Sequence, residues 1–287
     1  MVAIILKEFR SFFTSLLGYI IISAFLFVIG YFFWGYNIMN GLGTLDYTFS
    51  GVSIWLTILI PLLTMRSLAD ENKNKTDQLL ITAPISVEKM VFGKYVGTLS
   101  VFGIVVVALL FYPLIFIGKG DINYLQMYYA IFGFFLLGAA YVAIGLFISC
   151  LTESQLIAAI VTFVVLIASY FMQSLTSIVS SDNKTTWIIV SILIILFALL
   201  MYLMIKNTII ASAVGAIGLI VAAILYFVVP SVYDNVLTSL TTVISIVGPY
   251  TSFITGVVEL SGIVYYLSII GIFLFMTIMM IKKKRWS

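Results

Sequence analysis

Eight stretches of this chain carry no Asp, Glu, Lys or Arg and run for about a membrane width: 16–36, 50–65, 96–118, 126–150, 155–176, 187–205, 208–229 and 262–281. A hydrocarbon core about 30 Å thick takes roughly 20 mostly apolar residues as an α-helix. Helix is the conformation available to such stretches, because lipid offers no partner to a free backbone N–H or C=O. A charge at a helix centre would cost about 2.5–3.5 kcal/mol on insertion scales, which fits their absence. Composition agrees. The chain is 63% hydrophobic and only 9% charged, with a mean hydropathy of +1.24, where a soluble domain carries about 25% charged residues. The expected fold is an all-α polytopic membrane protein of about eight spans. The span at 50–65 is short, and either extends back to Tyr47 or ends where Arg66 reaches the interface. One Cys and no His exclude a disulfide framework and remove the usual zinc, haem and imidazole chemistry. Cys150 lies in an apolar run and reads as packing.

Orientation follows from the basic residues. With the N-terminus in the cytoplasm and all eight stretches spanning, 12 of the 14 Lys and Arg face the cytoplasm; only Lys119 and Lys184 do not. That is the positive-inside bias, and both termini are expected to be cytoplasmic. Lys7 and Arg10 precede a run of full span length without a small-residue cleavage site, which reads as a retained span rather than a signal peptide. The pair 187–205 and 208–229 turns tightly at Lys206-Asn207. Without it six spans remain in the same orientation.

Residues 1–15 differ from the spans. At 100° per residue Val2, Ile5, Leu6, Phe9, Phe12 and Phe13 share one face, and Lys7, Glu8, Arg10, Ser11, Thr14 and Ser15 share the other; Ile4 alone is out of place. This predicts an amphipathic helix lying in the membrane interface, with Lys7, Phe9, Arg10, Phe12 and Phe13 as its contacts. On the other side the loops are short except for 230–261, which is moderately apolar and broken by Gly248-Pro249. Two short helices dipping into the outer leaflet suit it, with the break shielded by protein. Small residues mark helix packing at Gly138, Ala139, Ala143 and Gly145, and again at Gly215 and Gly218. Pro61 and Pro113 are expected to kink their spans.

Nine of the chain's charged residues fall between Arg66 and Lys94, in the one sizeable cytoplasmic loop, 66–95. "DENKNK" reads as a solvated turn. Thr76 then caps a short helix with Asp77 in its first turn, which must stop near Ala83 because Pro84 follows. Ser86 caps the next helix, with Glu88 in its first turn. Helices shorter than about 12 residues are marginal alone, so Leu79, Leu80 and Ile81 need a surface. The bilayer and a groove on a soluble partner are equally open.

The stretch "ILIPLLTMRSLADENKNKTDQLLITAPISVEKMVFGKYVG" (58–97) resembles the signature region of type-2 ABC exporter permeases, in particular the gliding-motility-associated group. The match lies at Pro61, Met65, Arg66, Ser67, Ala69, Glu71, Thr76, Leu79, Leu80, Pro84, Ser86, Gly93, Lys94 and Tyr95. "GFFLLGAAYVAIGLFISCLTESQLIAAI" (133–160) and "IVYYLSIIGIFLFMTIMMIKKKRWS" (263–287) resemble the group too. The resemblance implies a single transmembrane domain, 1–287, with a six-span core; the pair at 187–229 departs from it. It further implies that Thr76, Asp77, Gln78, Leu79, Leu80, Ile81 and Thr82 form a coupling helix on a cytosolic ABC ATPase, that residues 1–15 are the connecting helix, and that 230–261 is a re-entrant segment at the outer face. The chain would be the permease subunit of an ATP-driven exporter in the bacterial cell membrane. A second copy or a homologous permease would complete a dimer, with an accessory membrane subunit as a further candidate partner. ATP and magnesium would sit on the ATPase, and this chain would bind no cofactor, metal or nucleic acid and hold no catalytic residue. It has no G-x-x-x-x-G-K-[ST] to cradle phosphates: Gly93-Lys94 has Glu88 at the first Gly position and Tyr95 after the Lys. Glu153 reads as a turn residue. A non-transporting anchor of an ATPase-linked motility or envelope complex is the competing reading. A secondary transporter is a third, disfavoured by the lack of intramembrane carboxylates.

Overall fold

A computed structural model of the chain describes residues 1–74, 86–118, 122–178 and 244–286, together with Trp187, Ser191, Ala216 and Tyr226. Among the described residues every regular element is a helix. In chain order they are α1 (Val2–Thr14), α2 (Leu16–Phe33, running on into a π-helical turn Trp34–Met39), α3 (Asp46–Thr64) and α4 (Ala69–Lys73). Then follow α5 (Val87–Leu109), a 3-10 turn (Tyr112–Phe116), α6 (Tyr124–Leu151), α7 (Gln155–Ile178), α8 (Gly248–Ile254) and α9 (Leu260–Trp286). Six stretches among the described residues are long and apolar enough to cross a membrane: Leu16–Met39, Asp46–Lys73, Val87–Phe116, Tyr124–Leu151, Gln155–Met172 and Leu260–Lys283. They answer to six of the eight expected spans, and the chain is an all-α multi-pass membrane protein. Apart from Trp187, Ser191, Ala216 and Tyr226, the expected spans 187–205 and 208–229 lie outside the described residues, as does 230–243.

The sequence explains which helix is central. α6 is apolar on all sides, the signature of a helix with neighbours all round, and 83% of its spanning window is buried. α3, α5, α8 and α9 all pack on it. Its glycines set the approach. A Cβ on Gly133 would sit 2.5 Å from Phe253 Cβ. The Phe102 ring lies against Gly138, and the Thr64 side chain fills the space at Gly145. Ala139 and Ala143 are buried beside them, and the Ala139 carbonyl accepts a hydrogen bond from Tyr95 Oη at 3.2 Å. These contacts are made within one chain. Gly215 and Gly218 lie outside the described residues.

The helix expected to be capped by Ser86 begins at Val87, with Glu88 in its first turn, and runs without interruption into the third span, so Lys94 sits inside one continuous helix. Among the described residues of the 230–261 segment the chain turns at 245–247 and Gly248-Pro249 opens the short helix α8, proline being well suited to a first helical turn. Gly256, at φ +87°, then turns the chain toward α9 in a conformation that favours glycine. Pro61 lies inside α3, three residues before its end, and Pro113 lies past the end of α5, in the 3-10 turn.

The chain forms two compact units, Met1–Tyr170 with Ile246–Ser287, and Phe171–Ser245. The first closes on itself where the second is inserted: Ile246 N–H donates to Ser169 Oγ at 3.1 Å, and Tyr266 Oη donates to the Ile246 carbonyl at 2.8 Å. In the second unit the rings of Trp187 and Tyr226 stack at 5.3 Å.

The first unit's two ends hold different polar groups. At one end Asn37 Nδ2 donates to the carbonyls of Leu42 (2.7 Å) and Thr44 (2.6 Å) and its Oδ1 accepts from Thr48 Oγ1 at 2.6 Å. Nearby Gln126 Nε2 donates to Asp46 and to the Ile254 carbonyl. The other end gathers the charged residues of α1, α4 and α5.

Candidate functional site

The charged end is built on α1. Its inward line is Ile4, Glu8 and Phe12, all buried, one above another at i, i+4 and i+8. The sequence reading set Ile4 aside and gave Glu8 to the polar face. The structure rotates the inward line part of the way round, keeping Phe12 and adding Ile4 and Glu8, because α5 presents two glycines. A Cβ on Gly93 would meet Ile4 Cγ2 at 2.9 Å, and one on Gly97 would meet Glu8 Cβ at 2.7 Å. Small residues four apart let two helices approach closely. Of the residues expected at the interface, Lys7 and Arg10 are exposed, Phe9 and Phe13 are half-buried with rings 4.9 Å apart, and Phe12 packs inward.

Close packing brings Glu8 to Lys94, whose side chain is 2% exposed. Its ammonium has three N–H groups, and the structure supplies an acceptor for each from a different element. Glu8 Oε2 of α1 lies at 3.3 Å, Glu71 Oε1 of α4 at 2.9 Å, and the Ser67 carbonyl of the α3–α4 turn at 2.7 Å. Ser67 Oγ donates in turn to Glu8 Oε1 at 2.9 Å. Lys7 reaches Glu71 Oε1 from outside at 3.5 Å. A cavity of about 240 Å³ opens beside this group, lined by Lys7, Glu8, Arg66, Asp70, Glu71 and Lys94 among others. "DENKNK" is therefore not a simple solvated turn. Its first residues form α4, and the Glu71 side chain is only 13% exposed.

The turn after α3 is fixed with equal care. Ser149 Oγ, from the end of α6, accepts from the N–H groups of Leu68 (3.1 Å) and Ala69 (2.9 Å) and donates to the Met65 carbonyl at 3.2 Å. It thus satisfies backbone groups that α4, too short to bond them itself, leaves open. Asn72 Nδ2 donates to the carbonyls of Cys150 and Thr152, both at 3.2 Å. Gln155 Nε2 of α7 donates to Asp70 Oδ1 at 2.8 Å, and Arg66 pairs with Asp70 and donates to Ser15 Oγ at 3.1 Å. Glu153 is exposed in the α6–α7 turn. Lys282 of α9 pairs with Glu88 in the first turn of α5, an exposed pair.

Thr76, Asp77, Gln78, Leu79, Leu80, Ile81 and Thr82 lie outside the described residues. What the structure brings together is the base of their loop: α4 leads into it, α5 leads out, and Glu71 and Lys94 join the two. Sequence reasoning passed over Glu8, Ser67, Glu71, Lys94 and Ser149 as a group. The available signal was a lysine set one residue after Gly93 in a Gly-x-x-x-Gly pair, on a helix whose next turns are apolar.

Residues 39–190, just over half of the chain, match the family model described as ABC-2 family transporter protein. No curated protein and no solved structure matches the chain. With six apolar helices of membrane length and the family match covering the 66–95 loop, the chain belongs to the ABC-2 family of transporter proteins.

Proposed function

We propose that this chain is the permease subunit of an ATP-driven exporter of the gliding-motility-associated group, working with a separate cytosolic ABC ATPase. Its Thr76–Thr82 segment is the contact with that ATPase, both termini lie in the cytoplasm, and two permease subunits flank the path. The observation that supports this reading is the treatment of the 75–85 loop at its base. Residues on both sides of it are tied to α1, α5, α6 and α7. A push on such a loop reaches the spans rather than dissipating in a loose connection. A solvated turn needs no such anchorage, and a scaffold with no moving parts gains nothing from it.

The experiment is replacement of Leu79 and Leu80 by Asp in the full chain. The expected result is loss of co-purification with the ATPase and of the hydrolysis that the permease stimulates. Retention of both would overturn the assignment. ATP-dependent movement of a substrate into vesicles separates the exporter from a non-transporting anchor.

A further inference from the structure

We propose that Lys94 is a positioning residue for energy coupling: it locks α1, α4 and α5 into one body, so that displacement of the 75–85 loop carries all three together. The inference rests on the ATP-coupled reading above for its purpose, but its structural part stands on geometry alone. The ammonium takes one acceptor from each of three separate elements: Glu8 from α1, Glu71 from α4 and the Ser67 carbonyl from the turn between α3 and α4. Ser67 Oγ closes the ring by donating to Glu8. Ile4 and Phe12 of α1 join the buried apolar cluster with Val87, Met90 and Val91 of α5, and the ammonium adds a directional tie to that non-directional packing. The α1–α5 contact runs over Gly93 and Gly97, so no side chain of α5 interlocks with α1 there and the ionic tie is what fixes their register.

A buried ion pair is a poor source of stability, since apolar residues of the same volume often do as well. Its distinct property is direction. An apolar contact tolerates a shift of an ångström, whereas an ammonium surrounded by three fixed oxygens has one geometry. Joining Glu71 to Lys94 also closes the loop at its base, so that its two ends move together. Attaching Glu8 to the same ammonium adds α1, which leads directly into α2. Lys94 is therefore placed to convert motion of one loop into motion of two spans and the N-terminal helix.

The test uses the full chain in nanodiscs with Cys150→Ser and spin labels at the exposed positions Leu6 and Phe92, one on α1 and one on α5. The joint is removed by the neutral set Glu8→Gln, Glu71→Gln and Lys94→Met. The inter-label distance distribution is expected to at least double in width relative to the intact joint. The variant is expected to co-purify with the ATPase yet stimulate its hydrolysis at most one-tenth as much. A distribution as narrow as that of the intact chain overturns the proposal. So does a broadened one with stimulation unchanged, because the joint would then be lost without any loss of coupling. Should the set fail to fold, Glu8→Gln alone releases the α1 arm and carries the same expectation at the same labels. Failure of the ATP-coupled reading shows separately, as no stimulation by the intact chain, and the label widths still decide the joint.

Discussion

At the scale of single residues, the charged end works because Lys94 and Ser149 each use their full bonding capacity. Lys94 has three donors and three acceptors; Ser149 accepts two N–H groups and donates once. Removing one partner is then worse than removing all. Lys94→Met leaves Glu8 and Glu71 without their buried counter-charge, and breaking a buried pair in this way costs about 3–5 kcal/mol. The expected outcome is a clear fall in the thermal midpoint of the detergent-solubilised protein. Adding Glu8→Gln and Glu71→Gln to the same chain should recover more than half of that fall. A smaller effect is expected at Ser149. Ser149→Ala strands the Leu68 and Ala69 N–H groups, at about 1–3 kcal/mol for an unsatisfied buried group, and the same unfolding measurement checks it. Substitution at Glu153, exposed in its turn, should leave the midpoint unchanged.

At the scale of elements, α1 and α5 form a glycine-mediated contact whose tolerance differs sharply along one helix. Gly97→Val places a branched side chain where Glu8 Cβ already lies 2.7 Å from a Cβ position, so α1 should be displaced and the Glu8–Lys94 pair lost. Limited proteolysis should then cut α1 earlier than in the intact protein. Gly103, two turns further on, has nothing within 4 Å of a Cβ. Gly103→Ala should therefore stabilise by about 0.5–1 kcal/mol, the ordinary gain for replacing a mid-helix glycine, read from the thermal midpoint. The contrast shows what the sequence could and could not reveal. Periodicity found α1 as a helix, because the run of polar and apolar residues repeats every 3.6 positions. It misjudged which face turns inward, because Glu8 counts as polar in any such pattern and is buried only when Lys94 stands opposite. Gly93 and Gly97 were visible as a spaced pair, but their partner was not: spacing shows that a surface is smooth and says nothing of which helix lies on it. Ser149 gave no signal at all, since one hydroxyl in an apolar helix is as well satisfied by its own backbone as by a distant turn.

At the scale of the whole molecule, six of the expected spans were legible because lipid imposes length and apolarity on each one separately. The arrangement around α6 was not, since every span is apolar and hydropathy does not rank them. The inserted unit, Phe171–Ser245, raises the last question of topology, and the first unit constrains its answer. α7 starts beside Asp70 at the charged end. Ser169 lies 14 residues further along it, about 21 Å at the helical rise of 1.5 Å per residue. Ser169 Oγ meets Ile246 N–H at 3.1 Å, so the chain leaves and re-enters the first unit at the same depth, away from the charged end. An insertion whose two ends meet crosses a membrane an even number of times or not at all. The two spans expected from the sequence at 187–205 and 208–229 satisfy that parity, and the positive-inside pattern predicts Lys206-Asn207 on the same side as Lys7 and Lys282. A cysteine at Asn207 should then react with an impermeant maleimide from the same side as cysteines at Lys7 and Lys283, with low background because Cys150 is buried. Labelling of Asn207→Cys from the opposite side would show that the insertion does not cross, and would reduce the chain to six spans.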